Sequence, residues 1–247
     1  MKKTLFVCCS MFISLALQAQ YSGQVATNLS SGGSSQGTTA AAITQFLGPV
    51  NQALNKRTFR AEDFQGSPYT NNEFQSTILS YEGEKVGTIF YRYNALNEEV
   101  EIKQNNLPTE GIRALGRDKK INIIVENKPM SFKTFVDKKN NTLNGYLISL
   151  VNGKKYELFK RINVKFTEGS ASPNSFVKAS PSRFSHFIEY YIQEKGVNRI
   201  DEIPLKNRKM VALLKNKEDG LKSYLSDNKL DISKENDLIK VVNHLNQ

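Results

Sequence analysis

The sequence predicts an α+β protein: an antiparallel β-meander, either a curved sheet or a partly open barrel, followed by α-helices at the C-terminal end. Three observations lead there. Between about residues 74 and 204, apolar side chains recur at every second position, the period of a strand with one buried face. Turn-forming pairs punctuate these runs at short intervals. After Pro204 the apolar spacing lengthens to three and four residues, the period of a helix.

The chain has 247 residues and opens with the three-part layout of a secretory signal. Lys2 and Lys3 supply a positive start, Leu5 to Leu17 an apolar stretch of 13 residues, and Ala19 a small residue for cleavage. That stretch is shorter than the roughly 20 residues a membrane span needs. Residues 1–19 are therefore expected to be a signal peptide, and the mature protein to be exported to the periplasm, the cell envelope or the outside. Cys8 and Cys9, the only cysteines, lie inside this stretch. A lipid-anchoring cysteine would follow the apolar residues, so both are expected to leave with the peptide. The mature chain would then hold no disulfide, no thiolate nucleophile and no cysteine-bound metal. A chain of about 230 residues buries enough surface to fold without such staples.

Residues 20–62 read as a flexible leader. The run 22–41 is Ser, Gly, Thr and Ala with almost no bulky apolar group, too little to offset the entropy of ordering it. Ile43, Phe46, Leu47, Val50 and Leu54 form a weakly helical pattern, broken by Gly48-Pro49, that suits a short docking helix.

Residues 63–205 form the expected β core. Val86–Tyr93 carries Ile89, Tyr91 and Tyr93 on one face, and Glu99–Lys103 and Ile121–Val125 alternate cleanly. Phe132–Val136, Tyr146–Val151, Ile162–Phe166, Phe187–Gln193 and Val197–Ile203 follow. Glu82-Gly83, Asn94–Asn97, Asn140-Asn141, Asn152-Gly153 and Lys195-Gly196 mark turns. Asn152-Gly153 is the strongest hairpin signal, since both residues tolerate the positive φ of a type I′ turn. Short turns join antiparallel neighbours only, and the alternation predicts one face in water.

Residues 206–247 are expected to be helices packed on that core. Met210, Leu213 and Leu214 form one stripe, Leu221, Tyr224 and Leu225 another. Ser233 suits an N-cap for a last helix, with Glu235 and Asp237 in its first turn. Leu238, Val241, Val242 and Leu245 form its buried face.

Net charge is +10, spread over Arg117–Lys120, Lys138-Lys139, Lys154-Lys155 and Lys206–Lys209. This favours solubility and attraction to anionic surfaces; export argues against nucleic acid as the partner. No second apolar stretch is long enough to span a bilayer.

The sequence holds no Gly-rich phosphate loop, no GxSxG elbow and no HExxH. Two histidines, His186 and His244, are too few for a three-imidazole metal site. Glu98, Glu99 and Glu101 form the densest carboxylate cluster, but Glu99 and Glu101 alternate with Val100 and Ile102, which predicts a solvated strand face. Tyr81, Tyr91, Tyr93, Tyr146, Tyr156, Tyr190 and Tyr191 lie in or beside strands and suit cross-strand packing. No catalytic, cofactor-binding or metal residue is expected.

Gly66-Ser67-Pro68-Tyr69-Thr70-Asn71-Asn72-Glu73-Phe74, then Arg92-Tyr93-Asn94 ending a strand, then Asn97-Glu98-Glu99-Val100-Glu101 and a Lys-rich helical end resemble a family of uncharacterised, signal-bearing bacterial envelope proteins. The resemblance covers about residues 66–247 and implies an envelope location and no known activity. The residues themselves read as an architectural turn into the first strand, with Pro68 holding Ser67 extended.

The function expected is that of a non-enzymatic envelope protein binding a protein, glycan or lipid through a β surface, which calls for an aromatic or apolar groove. One alternative is a carrier of apolar cargo, with a cavity behind Ile89, Tyr91, Ile123, Ile148 and Val164. Another is a hydrolase using Glu98–Glu101 or Asp201-Glu202.

Overall fold

Strand formation follows the β-branched and aromatic runs, and a computed structural model describes the result for residues 36–50, 64–170, 176, 179–214 and 220–247. All of these belong to one compact unit, Ser35–Gln247. The expected signal peptide, both cysteines and much of the expected leader lie outside the described residues.

Twelve strands make one sheet: β1 (Leu47–Gly48), β2 (Phe64–Gln65), β3 (Gln75–Tyr81), β4 (Glu84–Asn94), β5 (Glu99–Lys103), β6 (Arg113–Leu115), β7 (Ile121–Val125), β8 (Lys128–Val136), β9 (Thr142–Asn152), β10 (Tyr156–Thr167), β11 (Ser182–Glu194) and β12 (Ile200–Glu202). One part is an open arm in the order β1-β6-β5-β4-β3-β7. The other is a closed ring: β8 pairs β9, β9 pairs β10, β10 pairs β11, β11 pairs β12, and β12 returns to β8. The sheet is thus a curved layer that closes on itself at one end, largely antiparallel as expected. Two contacts are parallel, β12 with β8 and β2 with β11; both join segments far apart in sequence, where the short-turn rule does not apply.

The ring has no lumen to spare. Phe135, Leu147, Phe159, Tyr191 and Ile200, one from each of its five strands, pack together inside it. Outside, Val151, Tyr156, Leu158, Tyr190 and Ile192 meet the C-terminal helices. Both faces of β9 and β10 are therefore covered, which corrects the expectation of one wet face: closure turns one face inward and helices cover the other. The arm packs a second core around Ile89, Ile102, Ile123, Phe132 and Tyr146.

The two-residue turns Glu82-Gly83 and Glu126-Asn127 have positive φ throughout, 51° and 89°, then 50° and 62°, as type I′ geometry demands. At Asn152-Gly153 the hairpin forms but its turn is different. Neither residue has positive φ, and Lys154-Lys155 lengthen the loop before β10. Asn246 explains this. Its Oδ1 accepts from Lys155 N and Tyr156 N, each at 2.8 Å, and its Nδ2 donates to Tyr156 O at 3.0 Å. A Cβ on Gly153 would collide with that amide, so this glycine serves close approach. Asn246→Ala is expected to cost about 2 kcal/mol, since it strips a partner from four backbone groups, Val242 O being the fourth; chemical denaturation measures it, and a loss below about 0.5 kcal/mol contradicts the latch.

Helix α1 (Gln36–Thr44) overlaps the end of the segment expected to be flexible. The Ala40–Ala42 run favours helix, and Ile43 and Phe46 anchor it in the arm core. Helices α2 (Asn207–Leu214), α3 (Leu221–Asp227) and α4 (Glu235–Leu245) follow Pro204. Met210, Leu214, Leu221, Leu225 and the four apolar residues of α4 are buried, while Leu213 is exposed. Lys234, not Ser233, precedes α4, without a side-chain cap. Ser233 instead donates its N–H to Asp231, a local turn that displaces the helix start.

Candidate functional site

The motif residues scattered from Gly66 to Glu101 converge. Arg92 on β4 lies over the ring of Tyr69 at 3.8 Å and that of Phe74 at 4.7 Å. Its Nη2 donates to Glu101 Oε2 at 2.6 Å and its Nη1 to Asn72 O at 3.1 Å. Tyr69 Oη and Asn94 Nδ2 donate to the other Glu101 oxygen. Backbone bonds from Thr70 N to Tyr93 O and from Ala95 N to Pro68 O fix the turn against β4. Glu99 and Glu101 are 7% and 3% exposed, which overturns the solvated-face expectation. The 66–74 segment brings Tyr69 onto Glu101, and the Arg92 guanidinium replaces the water that Glu101 loses, while Glu99 lies 3.9 Å from Arg117. The cluster ties the 66–74 turn to β4 and β5.

A second ionic cluster joins the arm to the ring. Arg161 on β10 pairs with Glu98, and with Glu189 of β11 at 2.7 Å. Tyr191 Oη donates to Glu189 at 2.9 Å. Burial lowers the charged fraction of an arginine, but here the two carboxylates outweigh it and hold the Arg161 guanidinium firmly charged. Gly145 leaves room for the Glu98 carboxylate. Nearby, the buried Tyr93 hydroxyl has no hydrogen-bond partner among the described residues; burial first, then Glu98, raises its pKa well above the ordinary tyrosine value.

The residues weighed for chemistry stay apart. His186 Nε2 donates to the Ser67 backbone carbonyl at 2.8 Å, not to a hydroxyl. His244 stacks on Tyr224 with ring centroids 3.6 Å apart. Asp201 pairs with Arg199 and Glu202 with Lys138. No group of three or more His, Cys, Asp or Glu among the described residues is placed to hold a metal ion. Ile89, Tyr91, Ile123, Ile148 and Val164, proposed as cavity walls, pack into one cluster with their neighbours.

A groove does form along β11. That strand pairs β10 over its full length on one edge. On the other, β2 takes Ser182–Arg183 and β12 takes Tyr191–Gln193. Between them, no strand among the described residues pairs with Phe184–Glu189. Tyr190 O accepts from Ile203 N on this side, so alternate residues back from it, Ile188 and His186, point their backbone groups to the open edge. Phe187 and Ile188 are each 48% exposed. Beside them lies a groove of about 350 Å³, walled by Phe187, Ile188, Tyr190, Ile203, Pro204 and Leu205, with Lys138, Lys206 and Lys209 at its rim. Glu189 and Glu202 in its wall are already paired, whereas Lys206 and Lys209 have no ion-pair partner among the described residues. The sequence carried one signal of it: Phe187-Ile188 breaks the period of two and puts an apolar side chain on each face.

No family model, no curated protein and no solved structure matches the chain.

Proposed function

We propose that the protein is an exported, non-catalytic binding protein of the cell envelope, and that it captures an extended acidic segment of a protein partner as an added strand on β11. The observation that carries this reading is the open edge of β11 beside an apolar groove. An added strand would satisfy the backbone groups of His186 and Ile188, alternate side chains would enter the groove, and acidic ones would meet Lys206 and Lys209. Export rests on the Lys2–Ala19 layout.

The test uses the processed chain recovered from the envelope fraction, and failure to find it there overturns the location. Its probe is a fluorescent octapeptide of alternating valine and glutamate, followed by anisotropy. A dissociation constant of about 1–100 μM is expected, with a loss of about tenfold or more on Ile188→Asp. No binding at about 1 mM, or equal binding when prolines replace alternate peptide residues, would sink the proposal.

A further inference from the structure

We propose a second binding site in the cleft where β8 and β12 part, one that takes a small anionic sugar: a sugar acid or a sugar phosphate. It does not depend on the β11 reading. The outer edge of β8 pairs β7 from Lys128 to Ser131 and then meets β12 at a single bridge, Val136 with Asp201. From Phe132 to Phe135 that edge has no strand partner among the described residues. The strands splay there and leave a cleft of about 430 Å³, within the range of small-molecule sites, roughly 300–1,000 Å³.

Its lining has the composition such a ligand needs. Phe135 and Ile200, two residues of the ring interior, form an apolar floor, and Lys119, Lys133 and Arg199 are the charged residues around it. No carboxylate lines it among the described residues. Thr134, Thr142, Gln193 and Asn198 supply uncharged hydrogen-bonding groups that match sugar hydroxyls. Arg199 is held in place by Asp201 at 2.7 Å and by Asn140 at 3.0 Å. Lys133 lies over the Phe159 ring at 5.1 Å and has no ion-pair partner among the described residues. Burial, opposed by Glu157 and assisted by Lys119 and Lys195, holds its ammonium below the usual lysine range. With Arg199 already paired to Asp201, Lys119 and Lys133 are the like charges left around the cleft, and an anion bound between them relieves both.

Calorimetric titration of the processed chain with glucose 6-phosphate, glucuronate, glucose and inorganic phosphate tests this. At least one sugar anion is expected to bind about tenfold or more tightly than glucose, and the preferred anion tells a phosphate ligand from a carboxylate one. Lys133→Met is expected to weaken that binding by about tenfold, and Lys119→Ala by about threefold. Lys119 is exposed, so its variant keeps the test intact if the other fails to fold. Binding of glucose equal to that of both sugar anions overturns the site, as does indifference of both variants or silence at about 10 mM. Inorganic phosphate binding as tightly as glucose 6-phosphate overturns the sugar assignment.

Discussion

Arg161→Met is expected to lower stability by about 3 kcal/mol, read from urea denaturation. The arginine side chain is 11% exposed, and the carboxylates it joins, Glu98 and Glu189, are 20% and 24% exposed. Without the guanidinium, two like charges face each other in a site that water reaches poorly. The loss is charge-specific, because methionine keeps most of the packing against Phe135, over which the guanidinium lies at 5.1 Å. Adding Glu98→Gln and Glu189→Gln to Arg161→Met should therefore restore part of the stability. A loss under about 1 kcal/mol, or no recovery in the triple variant, would refute this account.

Phe159→Ala is expected to cost about 4 kcal/mol. Five buried side chains pack together inside the ring, and Phe159 is 2% exposed among them. Each of its neighbours is anchored on its own strand of the closed ring, which limits collapse into the gap, so the cost lies toward the upper end for such truncations. Phe159→Leu, which keeps much of the volume, should lose less than half as much. Equal losses in the two variants would contradict a tightly filled ring.

Much of the fold was legible in the sequence, because its signals are local. Period-two alternation located β4, β5 and β7 to β12 but not the short β6, and the spacing of Leu238, Val241, Val242 and Leu245 located α4 with its buried face. What was missed depends on contacts between distant segments. Glu99 and Glu101 alternate with apolar residues as a solvated face does, but residues distant in sequence cover them: the 66–74 segment brings Tyr69 onto Glu101, and Arg117 lies 3.9 Å from Glu99. Asn152-Gly153 has type I′ chemistry, but Asn246 claims the space beside the glycine. Closure of the ring rests on Val136 meeting Asp201, a pairing no local pattern records. The β11 groove left a faint trace in Phe187-Ile188, while Lys119, Lys133 and Arg199 come from three separate segments and show no spacing to read.

The single bridge between β8 and β12 bears on the order in which the chain assembles. The pairs β8–β9, β9–β10 and β10–β11 join consecutive strands and can form step by step. Joining β8 to β12 needs its two ends to meet only after those hairpins stand, and it adds one backbone contact for that loop-closure entropy. The bridge is therefore expected to form late in folding and to open before the hairpins it joins. What keeps it shut is the apolar layer behind it and the side-chain contacts across it, Glu202 with Lys138 and Arg199 with Asn140, rather than the ladder itself, so the seam can part by small movements while the hairpins on either side stay whole.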